Sequence, residues 1–171
     1  MKRFIVMLLI LIVCLILPGT IFHYWSWAGI KPDLAMLWVI YIALHHRPAQ
    51  GIMYGFVIGL IVDFYLGRYI GLYAIILAVV ALLISMLQQR WYRENIPLTM
   101  VLVFIVTVLG QTLMALIATT AGLNWYLGDA VKVILGISFY NCLLVPLTYP
   151  FVHKSFTEGI LQPKKKIEQQ L

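Results

Sequence analysis

The run Gly51-Ile-Met-Tyr-Gly55-Phe-Val-Ile-Gly59-Leu-Ile-Val-Asp63-Phe-Tyr-Leu-Gly67-Arg-Tyr-Ile-Gly71 decides how this chain folds. Its small residues and its one carboxylate recur every fourth position: Gly51, Gly55, Gly59, Asp63, Gly67, Gly71. A step of four overshoots a helical turn by about 40°, so the stripe winds slowly round the helix surface. Glycine inside a helix costs about 1 kcal/mol relative to alanine. In a membrane, small residues at this spacing offset that cost by letting a second backbone approach closely. An acid within an apolar segment is expensive and marks Asp63 as a site candidate. Gly67 and Gly71 fall at and beyond the helix end, around the turn Gly67-Arg68-Tyr69.

Composition sets the class. Of 171 residues, 63% are hydrophobic and 11% charged, far from a soluble domain. The chain is read as an all-α, polytopic membrane protein with little mass outside the bilayer. The net charge of +6 does not point to nucleic acid, because the basic residues stand at segment ends. Membrane topology and anionic headgroups account for them. Cys14 and Cys142 both lie in apolar runs and read as small buried hydrophobes. Neither a disulfide nor a metal site has the paired Cys/His spacing it needs.

Outward from the stripe, six spans are expected, at residues 4–22, 33–46, 51–66, 70–87, 97–121 and 130–152. Lys2 and Arg3 before the apolar run outline a signal peptide, but no small-residue cleavage site follows, so 4–22 is read as an uncleaved span. Pro32 fixes the chain and Asp33 caps the second helix. That helix is short: roughly 13 residues at 1.5 Å give about 20 Å, against a hydrocarbon core of about 30 Å. It either starts earlier or is met by thinned lipid and protein neighbours. Pro97 opens the fifth helix, and Asp129 is expected to cap the sixth. Residues 154–171 form a basic tail whose Lys164, Lys165 and Lys166 suit anionic lipid.

Six spans put both termini on one side. Lys2, Arg3, Arg47, Arg90, Arg93, Lys154 and Lys164 to Lys166 fall on that side, and only Lys31, Arg68 and Lys132 on the other. The positive-inside rule then makes both termini cytoplasmic. No internal repeat is visible.

A family resemblance rests on a particular order of residues. Lys31-Pro32-Asp33 is followed by an apolar helix to Tyr41-Ile42-Ala43-Leu44, then Arg47-Pro48. Gly51-x-x-x-Gly55-Phe56-x-x-Gly59-Leu60-x-x-Asp63 comes next, then Gly67 and Gly71-Leu72-Tyr73. This order resembles the MreD family of bacterial rod shape-determining membrane proteins, densely over residues 31–75. Chain length, six spans, Asn141 and Pro146 extend the likeness more loosely. The resemblance implies a non-enzymatic subunit of the cell-elongation machinery in the bacterial cytoplasmic membrane. Its implied partner is the bitopic protein MreC, in an assembly joining MreB filaments to peptidoglycan synthesis by RodA and its transpeptidase. It also implies a fold similar to the substrate-binding subunits of energy-coupling-factor vitamin transporters.

Each marked residue has a structural and a functional reading. Gly51, Gly55 and Gly59 serve internal helix packing or dock a partner's helix. Asp63 stands near a helix C-terminus, where the dipole disfavours negative charge by a few tenths to about 1 kcal/mol, so it needs a partner. Arg68, Lys31, Lys132 and the free N–H groups around Gly71-Leu72-Tyr73 are the candidates; the structural role is a pin across the Gly67 turn, and the functional readings are ligand binding, proton carrying or partner contact. His45, His46, His23 and His153 read as interfacial residues. No Ser/His/Asp set, paired carboxylates or phosphate-cradling loop is present, and no cofactor is implied.

The competing function is the solute-binding subunit of a vitamin importer. Such subunits resemble one another in an Ala-x-x-x-Ala pattern on the first helix. Phe4 to Leu17 contains no alanine, and the outward loops are short, which favours the scaffold.

Overall fold

Leu34 to Leu44 are all buried, on every side of one helix. A helix buried on every side is a core helix, and the rest of the chain is arranged about this one. A computed structural model of the chain describes residues 2–24, 30–67, 70–91, 95–120 and 127–157. They form six helices: α1 Lys2–Tyr24, α2 Leu34–His45, α3 Pro48–Leu66, α4 Leu72–Trp91, α5 Ile96–Thr120 and α6 Leu127–Thr157. α2 touches all five others. Its 12 residues give roughly 18 Å of length. The short second helix of the sequence is therefore met by protein neighbours.

α3 and α4 form the most closely packed pair, and α5 packs against α6. Arg47 is the N-cap of α3, with Pro48 in its first turn. Pro48 thus opens the third helix, three residues before the start expected at residue 51. It suits the position because its missing N–H has no intrahelical acceptor there. α3 ends on Gly67 in the left-handed region, φ 64°, a conformation that costs a side-chain-bearing residue about 1–2 kcal/mol. Gly71, φ 101°, completes the turn, so α4 starts at Leu72, two residues later than expected.

The expectation for Asp129 is corrected. α6 starts at Leu127, so Asp129 lies inside its first turn, exposed, with Lys132 Nζ 3.8 Å from its carboxylate. A carboxylate there still favours the helix dipole, but it is not the cap. α6 also runs five residues past the expected end, through Pro146 and Pro150, to Thr157. Arg68 and Lys164 to Lys166 lie outside the described residues.

The exterior is apolar. Val131, Leu135, Phe139, Leu143, Leu147 and Phe151, spaced four apart along α6, are each between 48% and 74% exposed. Polar residues point inward: Asp63, Ser85, Thr99, Thr107, Gln111, Ser138 and Asn141 are buried. Pro48–Leu66, Ile96–Thr120 and Gly128–Phe156 are long and apolar enough to cross a membrane. Ile5–Thr20, Leu34–His45 and Leu72–Leu87 are shorter apolar helices.

Candidate functional site

The glycine face of α3 is filled by the same chain. A methyl group added at Gly55 would stand 2.6 Å from the carbonyl oxygen of Leu77, and one at Gly59 would stand 2.5 Å from that of Tyr73 and run into the backbone of Ala74. Gly51 is looser, with Ala43 Cα at 3.3 Å and Ser85 Oγ at 3.5 Å. The stripe thus seats α4 backbone against α3 backbone over its upper half and meets α2 at its base. Close approach of this kind gains van der Waals contact that larger side chains would prevent.

Asp63 ends that seam. It is 2% exposed. Its Oδ2 accepts hydrogen bonds from Gly71 N–H at 2.9 Å and Ala74 N–H at 3.1 Å, and its Oδ1 accepts from Tyr73 N–H at 2.9 Å. Of the partners considered from sequence, the N–H groups at the start of α4 hold it, while Lys132 pairs with Asp129. The carboxylate sits near the C-terminus of its own helix and on the N-terminus of the next. The α4 dipole and the charge-assisted bonds offset the unfavourable α3 end, and the orphan donors of a helix start are satisfied.

A second polar joint lies at the start of α2. Asp33 Oδ1 accepts from Met36 N–H at 3.0 Å, the N-cap bond, and Oδ2 accepts from Gln111 Nε2 on α5 at 3.0 Å. Asp33 N–H donates to Asn141 Oδ1 on α6 at 3.1 Å, and Asn141 Nδ2 donates to the Asp33 carbonyl at 3.2 Å. One residue before a helix therefore binds three helices together. From sequence, Asn141 serves only to extend the family likeness and Gln111 is assigned no role. Their cost in apolar spans was the signal that they are paired, but not with what.

The far end of α2 is aromatic and imidazole-rich. Tyr41 Oη and Thr148 Oγ1 of α6 are 2.7 Å apart. His45 Nδ1 donates to the Tyr41 carbonyl at 2.8 Å, because a carbonyl only accepts. His45 Nε2 and His153 Nδ1 are 3.2 Å apart, within hydrogen-bonding distance. The Phe156 ring stacks on His45 at 4.6 Å between centroids. Read from sequence as separate interfacial residues, His45 and His153 are a contact pair between α2 and α6. Among the described residues no group of His, Cys, Asp and Glu is placed to hold a metal ion.

A cavity of about 560 Å³ opens where the six helices meet beside Asp33 and Asp63. Its walls are mostly apolar, from residues such as Leu15, Val62, Met114, Ala118 and Ile134, while Lys31, Asp33, Asp63, Tyr73 and Gln111 give it a polar side.

Asp63, at the end of the glycine stripe, and Asp33, at the start of α2, thus line one cavity. The family described as rod shape-determining protein MreD matches residues 1–155. The chain belongs to the MreD family. That membership assigns it to the determination of rod shape, and with the apolar helices it makes the chain a membrane protein. No curated protein and no solved structure matches it with significance. In this MreD-family chain the residues singled out from sequence act as helix joints: the glycines admit α4, Asp63 and Asp33 cap helices, and Gly67 and Gly71 form the turn.

Proposed function

We propose that the chain is a non-enzymatic membrane scaffold of the cell-elongation complex. In this reading all six helices lie in the bacterial cytoplasmic membrane, in a fold similar to the energy-coupling-factor substrate-binding subunits, with both termini cytoplasmic. It binds an MreC-like bitopic protein and couples MreB filaments to peptidoglycan synthesis by RodA and its transpeptidase, while its basic tail meets anionic lipid. One observation carries the reading. Asp63, the acid of the glycine stripe, spends its carboxylate on three backbone N–H groups of its own chain. A carboxylate held that way builds a hairpin; a general acid or base needs a proton to exchange with substrate. Partners then meet the outward apolar faces, such as the α6 stripe from Val131 to Phe151. Packing between helices in lipid needs only such complementary surfaces.

The test is depletion of the protein in a rod-shaped host, with co-purification of an MreC-like protein. Rounded cells and recovery of that partner support the scaffold. Normal shape with a vitamin requirement would make the chain an importer subunit instead.

A further inference from the structure

The cavity beside α2 holds more acceptors than the fold uses. Asp33 takes one hydrogen bond on each carboxylate oxygen, and a carboxylate offers about four acceptor sites. Gln111, 7% exposed, lines the cavity. Its NH₂ group donates to Asp33, which fixes the amide orientation, and among the described residues no donor reaches its carbonyl oxygen. The Tyr73 hydroxyl has no partner among the described residues either, and Tyr73 also lines the space. The charges lining the cavity, two carboxylates and the Lys31 ammonium, leave one net negative charge. α5 continues from Gln111 to Thr120, roughly 14 Å of rise, so an apolar wall stands beyond the acceptors.

We propose that this cavity is a binding site for a primary amine with an apolar body. The ammonium donates to the Gln111 carbonyl oxygen and to the free acceptor sites of Asp33, and it neutralises the remaining charge. The apolar body lies against Met114, Ala118 and Ile134. A carboxylate in the same place would face two like charges, and an alcohol would leave the net charge uncompensated, which is costly at low dielectric. Volume and lining match small-molecule sites, which run from about 300 to 1,000 Å³ and are mostly apolar with a few placed polar groups. The inference stands on the cavity alone, so its failure would leave the scaffold reading untouched.

Three probes of one shape and different charge test it: 2-phenylethylamine, 2-phenylethanol and phenylacetate. The thermal unfolding midpoint of the purified full chain in detergent is followed at neutral pH, since a ligand of the folded state raises it saturably. The amine is expected to bind at least about tenfold more tightly than the alcohol, as befits a charged hydrogen bond, and the acid is expected to give no shift. Gln111→Leu should weaken the amine by about tenfold or more. Ala115→Trp, which fills the cavity, should abolish saturation and serves if Gln111→Leu does not fold. Equal shifts with all three probes, no shift with the amine, or an Ala115→Trp protein that responds like the parent would overturn the proposal.

Discussion

Asp33 and Asn141, 108 residues apart, exchange two hydrogen bonds: the Asp33 N–H meets Asn141 Oδ1 at 3.1 Å and Asn141 Nδ2 meets the Asp33 carbonyl at 3.2 Å. The side-chain amide of α6 thereby completes the backbone of the residue that caps α2. Both termini of α2 are tied to α6, here and at His45 and His153, so the central helix is fixed in depth as well as direction.

Asn141→Leu should expose how much this joint holds. The Asp33 carbonyl keeps a bond from Leu37 N–H, so the loss falls on the Asp33 N–H. A buried unsatisfied donor costs about 1–3 kcal/mol. The expected result is a lower unfolding midpoint in detergent. A midpoint equal to that of the parent would show that the pairing contributes nothing.

Asp63→Ala should loosen the α3–α4 hairpin from its turn. Gly71, Tyr73 and Ala74 lose their acceptor together. Amide hydrogen exchange over residues 71–74 should accelerate more than exchange in α5, because the opening is local. Unchanged protection at those amides, with a parental midpoint, would rule out the pin.

The glycines should respond in order of contact. Gly59→Ala and Gly55→Ala drive a methyl into α4 backbone, and overpacking of this kind costs about 1–3 kcal/mol. Gly51→Ala meets nothing closer than 3.3 Å and should cost less. Gly19→Ala, with open space round it, should be neutral or stabilising, since alanine gains up to about 1 kcal/mol over glycine in a helix. A series of unfolding midpoints that ignored this order would contradict the packing.

Thr107 offers a gain. Its hydroxyl is buried without a partner among the described residues, as is Trp38 Nε1. Thr107→Val keeps the shape and removes the unpaired oxygen, a replacement that is near neutral or stabilising when no bond is lost. The unfolding midpoint should hold or rise, and a marked fall would mean that the hydroxyl has a function in the folded chain.

The sequence by itself determined what is periodic, compositional or local. Six apolar segments, the glycine face, the Asp33 cap, the Gly67 turn and the need of Asp63 for a nearby partner are all set within a few residues, by helix geometry and the cost of polar groups in apolar runs. Even its misplacements, Pro48 and Asp129, are shifts of a few residues at helix ends, where local signals are weakest. Only the tertiary structure decided that the shortest helix is the central one, because burial of α2 depends on five neighbours and leaves no trace in its own period. It alone joined Asp33 to Asn141 and Gln111, and His45 to His153. Such pairs are chosen by three-dimensional packing across 78 and 108 residues, a separation over which no local pattern carries information.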